Sequence, residues 1–140
     1  MFKKQGFTLL GLLIFITTLS ILGLIAIFNI LKVINDAQQD FFKNSVYGIV
    51  EAAELGYTKD ILAGVDGEVT FTYINGVENP SVSNKVLDYR GDKPKNGIIS
   101  IDDKGRIALA FYEKGYCAVK DYSNSVITLI KKEKQECKLP

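Results

Sequence analysis

The chain has 140 residues, 17 Lys and Arg against 16 Asp and Glu, two cysteines and no histidine. That length holds one small domain beside a helix of membrane-spanning length, which leaves no room for a large active-site architecture. A net charge of +1 gives no general electrostatic case for nucleic acid, and without histidine the commonest general base and metal ligand is missing, so the chain reads as a non-enzyme with no cofactor or metal.

From Phe7 to Leu31 there is no charged residue and no proline. A helix there would be about 37 Å long, enough to cross a hydrocarbon core of about 30 Å. Thr17, Thr18 and Ser20 can bond back to preceding carbonyls, so they do not oppose insertion. Lys3 and Lys4 on the short side put the N-terminus in the cytoplasm and everything after Leu31 outside. A cleaved secretory signal fits poorly, because its apolar region is usually about 7 to 15 residues and ends in a small-x-small site.

Ile34, Ala37, Phe41, Ser45, Gly48, Ile49, Ala52 and Ala53 continue at steps of three and four, with charged residues at other angles. One helix is therefore predicted from about Thr8 to Leu55, apolar all round in its first half and with one apolar stripe in its second. A membrane helix followed by a separate helical linker is the alternative. No Pro or Gly cluster marks a break between positions 29 and 47.

After Tyr57 the spacing becomes strand-like. VTFTYI over 69 to 74 alternates and runs into Asn75-Gly76, a two-residue hairpin signal. Pro80 and Pro94 bracket a loop-rich middle. GIISI (97 to 101), RIALAFY (106 to 112), YCAVK (116 to 120) and VITLI (126 to 130) follow with short turns, which predicts an antiparallel meander. Ile107, Leu109 and Phe111 should face the helix, with Ala108, Ala110 and Tyr112 opposite. The fold class is thus α+β: a long N-terminal helix packed by its second half on a small antiparallel sheet.

Cys117 and Cys137 lie far beyond the apolar segment, where an even count suggests a disulfide outside the cytosol; two free buried thiols are the alternative. A bond would require the tail KKEKQE to double back from the last strand to reach Cys117.

The segment Lys3-Lys4-Gln5-Gly6-Phe7-Thr8-Leu9-Leu10, with the long helix and the late cysteine pair, resembles the type IV pilin and pseudopilin family. The resemblance implies a basic leader over 1 to 6, cut on the cytoplasmic side by a prepilin peptidase between Gly6 and Phe7. It also implies N-methylation of Phe7, a transmembrane and assembly helix over 7 to 31, its amphipathic continuation over 32 to 57, and a β domain over 58 to 140 with a disulfide-bounded region over 117 to 137. Phe7, Leu9, Leu10 and Gly11 would carry assembly with other pilin subunits and assembly-platform proteins. The protein would begin as a single-pass precursor in the cytoplasmic membrane and end in a cell-surface filament.

Gly11 stands where that family usually has glutamate, and Phe28 where it commonly has a helix-kinking proline. The missing carboxylate points to a minor or tip subunit, and any unwinding would centre near Gly23. A different reading is a tethered or filament-borne binding module for DNA uptake or adhesion through Lys131, Lys132 and Lys134; a major pilin is a further one. Asp102 and Asp103 fit a solvated hairpin turn better than a cation site.

Overall fold

The computed structural model describes residues 8–140, in which the chain up to Gln38 forms one compact unit and Gln39–Pro140 another. A single helix, α1 (Leu9–Leu62), contributes to both. The six strands are β1 (Val69–Ile74), β2 (Val77–Pro80), β3 (Asn96–Ile101), β4 (Ile107–Glu113), β5 (Tyr116–Lys120) and β6 (Thr128–Lys131), followed by a 3-10 turn at Lys134–Glu136. This is the expected α+β arrangement.

The helix runs seven residues further than the sequence pattern gives, through Gly56 to Leu62. Its terminator is Gly64, at φ +72°, with Val65 N–H donating to the carbonyl of Asp60 and Gly64 N–H to that of Ile61. That pair of bonds is a Schellman motif, for which glycine is favoured because it takes positive φ without a Cβ penalty.

The buried helix face also differs from the expected stripe. Phe42, Val46, Ile49, Val50, Ala52 and Ala53 are buried, whereas Phe41 is 63% exposed. Two consecutive phenylalanines make adjacent helix faces equally apolar, and packing against the sheet selects the one that Phe42, Val46, Ile49 and Ala53 share.

The sheet is antiparallel with the order β2-β1-β3-β4-β5-β6. From β3 to β6 it is the predicted meander. β1 and β2 form the hairpin about Asn75 and Gly76, both at positive φ. The chain then returns past β1 to lay β3 on its other side, so the loop-rich middle is a crossover rather than a simple link.

Cross-strand partners share a face, which places Val69, Phe71 and Tyr73 of β1 with Ile99 and Ile101 of β3 and with Ile107, Leu109 and Phe111 of β4. All eight join the buried helix residues in one core cluster. Ala108 and Ala110, on the other face, are buried as well but lie outside that cluster. Gly97 sits opposite both Tyr73 and Phe111. A Cβ there would meet the Phe111 ring and come within 2.7 Å of the Ala110 carbonyl. Its absence leaves room for the Tyr73 and Phe111 rings to pack 5.7 Å apart at 55°.

Three hydrogen bonds pin the helix to the sheet at points along its length. Gln39 Nε2 donates to Tyr116 Oη (3.0 Å), the Ile127 N–H donates to Tyr47 Oη (3.2 Å), and Tyr57 Oη donates to the Asp103 carbonyl (3.0 Å). The crossover loop is held by Glu78, which accepts from Tyr73 Oη and from the Leu87 N–H, both at 3.0 Å, and by an ion pair between Lys85 and Asp60 on the helix.

Candidate functional site

The chemistry suggested by the sequence lies at two places, the apolar start of α1 and the disulfide-bounded edge of the sheet. Gly6 and Phe7, the expected processing and methylation positions, lie outside the described residues.

At the helix start, Thr8 is the N-cap. Its Oγ1 accepts from the Gly11 N–H at 3.3 Å, while the Leu12 N–H donates to the Thr8 carbonyl. Gly11 is thus the third helical residue. Glutamate there would complete a Thr-x-x-Glu capping box, and glycine leaves only the threonine half. No acidic residue occupies the first turn, so the positive end of the helix dipole has no carboxylate beside it.

Leu9 is 87% and Leu10 67% exposed, and the large apolar side chains from Leu12 to Leu31 are all exposed too. This helix is long and apolar enough to cross a membrane, and none of its most apolar window is buried within the protein. The polar residues embedded in it bond internally. Thr17 and Thr18 donate to the Ile14 carbonyl, Ser20 to that of Ile16, and Asn29 Nδ2 to that of Ile25 at 3.1 Å. Such internal pairing is what a segment without water around it requires. The helix passes Phe28 without interruption, and a Cβ at Gly23 would meet nothing within 4 Å.

Cys117 and Cys137 are joined, with Cα atoms 5.5 Å apart. Cys117 is fully buried in β5, paired with Ile130 of β6. The tail makes the return that the sequence requires by turning at Lys134–Glu136, with the Cys137 N–H donating to the Lys134 carbonyl. Lys131, Lys132 and Lys134 are exposed around this turn.

Asp102 caps the β3–β4 turn. Its Oδ1 accepts from the backbone N–H groups of Lys104 and Arg106, and its Oδ2 from Arg106 Nε at 2.7 Å. Slight desolvation opposes ionisation, but these donors together hold the carboxyl below its ordinary range. Among the described residues no group of three or more His, Cys, Asp or Glu could hold a metal ion. Burial in the crossover region raises the hydroxyl pKa of Tyr73 and Tyr89, helped by Glu78; Tyr89 is pushed up to about 12. The Tyr89 Oη is buried with no hydrogen-bond partner among the described residues.

Comparisons of the chain with known protein families, with curated proteins and with solved structures find no match.

Proposed function

We propose that this chain is a prepilin-like structural subunit, inserted in the cytoplasmic membrane, cut between Gly6 and Phe7, and assembled through its N-terminal helix into a type IV pilus or related pseudopilus. The observation that carries this reading is one uninterrupted helix, apolar and uncovered over its first turns and packed on a disulfide-closed sheet over its last. A helix that served only as an anchor has no need to continue without a linker into the core of the outer domain. Continuity puts the assembly segment and the body on one helix, which suits a filament subunit.

Phe7, Leu9, Leu10 and Gly11 supply the assembly surface in this reading. Other pilin subunits, a prepilin peptidase, assembly-platform proteins and the membrane are the partners. Gly11 cannot offer a carboxylate to a neighbouring N-terminal ammonium. A buried ion pair of that kind sets register, so a subunit without it suits a minor or terminal place in the filament. The test is to shear surface filaments from the native host and probe them for this chain, with and without the host's prepilin peptidase. The reading expects the chain in the sheared fraction only when the peptidase is present. Its equal recovery from peptidase-deficient cells, or its confinement to the membrane in both, overturns it.

A further inference from the structure

A groove of about 740 Å³ runs along the body between α1 and the crossover loop. Gly48, Ala52 and Gly56 recur every four residues and form its helix wall. Val69 and Phe71 of β1 and Ile101 of β3 lie beneath it. The other wall is the loop segment 85–90, which meets the helix at both ends. Lys85 pairs with Asp60, and the Arg90 carbonyl lies 3.8 Å from where a Gly48 Cβ would stand.

Between those two meeting points the helix advances about 18 Å. The loop covers that distance over positions 85 to 90, which requires it to be close to fully extended. Burial alternates accordingly: Leu87 is buried and Tyr89 half-buried, while Val86, Asp88 and Arg90 are exposed. Alternate residues of an extended chain turn their backbone groups to opposite sides. The Leu87 N–H turns to Glu78, and the Arg90 carbonyl turns to the helix. Val86, Asp88 and Arg90 therefore present N–H and C=O groups to the groove, and none of them has a backbone partner among the described residues.

The charges along the groove cancel. Lys85 and Asp60 pair, and Glu51 and Asp88 are matched by Lys59 and Arg90. Each wall also carries an exposed apolar side chain, Leu55 on the helix at 63% and Val86 on the loop at 79%. A Cβ at Gly56 would meet nothing within 4 Å. Glycine weakens a helix interior, and no packing within the body requires it there; its effect is to keep the groove open.

We infer that this groove binds an extended, uncharged peptide segment of a partner protein, five or six residues long, which adds to segment 86–90 as a strand and turns alternate small apolar side chains towards Val69, Phe71 and Ile101. A row of unpaired backbone groups is met by another backbone, whereas a lipid chain offers no hydrogen bonds. A groove without net charge has no attraction for a polyanion. The site lies wholly on the body, so it goes beyond the filament reading and stands whether or not the chain enters a filament.

The experiment uses the full-length chain in detergent micelles and reads, by fluorescence anisotropy, the binding of dye-labelled hexapeptides that alternate threonine with alanine or valine. A matched set carries N-methyl groups at alternate residues, which removes the N–H donors of one edge and keeps the side chains. The protein variant is Gly56→Leu, whose side chain enters the groove and suits the helix better than glycine, so its Tm should be no lower than that of the unaltered chain. The plain peptides should bind, and N-methylation or Gly56→Leu should each weaken binding at least about tenfold. In the complex, amide exchange should slow at Val86, Asp88 and Arg90. The inference is overturned by absence of binding, by equal binding of the N-methylated set, by undiminished binding to Gly56→Leu, or by protection at β2 or β6 instead. It is equally overturned if those three amides slow without peptide, either with rising protein concentration, which marks a second copy as the occupant, or on adding phosphatidylglycerol, which marks lipid. The comparison of the two peptide sets needs no variant, and filament recovery is read separately in the native host, so failure here leaves the filament reading standing.

Discussion

Replacing both cysteines with alanine tests how the edge of the sheet is held. The bond closes a ring of about 21 residues, and in the chain-entropy description opening it returns about 11 cal/mol/K to the unfolded chain, or about 3 kcal/mol at room temperature. For a body of about 100 residues, with an unfolding entropy of about 2.1 cal/mol/K per residue, this lowers Tm by about 14 °C. The structure says where the damage falls. Beyond Lys132, whose N–H donates to the Gly115 carbonyl, the tail's backbone hydrogen bonds are local to the Lys134–Glu136 turn. The disulfide is its remaining tie to β5. Thermal melting of the Cys117→Ala/Cys137→Ala variant should therefore show the lower Tm, and amide exchange should quicken at Glu136 and Cys137 while β1, β3 and β4 stay protected. Melting at the unaltered temperature, or loss of protection spread evenly over the sheet, would mean that the bond is not what holds the tail to β5.

Three other outcomes follow from the packing. Phe111→Ala removes a fully buried ring that packs against Tyr73, and denaturant unfolding should report a loss of about 3–5 kcal/mol. Gly97→Ala forces a Cβ towards the Phe111 ring and the Ala110 carbonyl, so this one added methyl should destabilise the fold by about 1–3 kcal/mol in the same assay. Tyr73 and Tyr89 keep their protons above the ordinary value of 10.0, chiefly through burial. Their contribution to stability is present below pH 10 and lost as pH rises through the folded values, because the unfolded chain ionises first. An ultraviolet titration should show Tyr73 and Tyr89 ionising above 10.0, with Tyr89 near 12; ionisation of either at or below 10.0 would contradict the burial assigned to them.

The fold was readable where one local signal had no competitor. The uncharged run up to Leu31, the Asn75-Gly76 turn and the alternation through RIALAFY are strong local signals, and Ile107, Leu109 and Phe111 face the helix as expected. The pattern misleads where several answers are locally equal. Phe41 and Phe42 are interchangeable by pattern, and only the shape of the sheet picks Phe42. Gly56 looks like a terminator, yet the helix continues through it because Tyr57 packs over Gly105 and bonds the Asp103 carbonyl. β1 pairing with β3 across the crossover is a long-range choice that no turn residue encodes. At the site, the exposure of Leu9 and Leu10 was legible from composition. That Thr8 caps the helix was not legible, since Gly11 removes the acidic half of the Thr-x-x-Glu pattern by which such a start is recognised.

The processing proposed above, a cut between Gly6 and Phe7, is tested by intact mass with N-terminal sequencing of the protein from its native host. A chain that starts at Phe7 and carries an added methyl group is the expected result. A chain still starting at Met1 would overturn the proposal, leaving an anchored outer domain that never enters a filament.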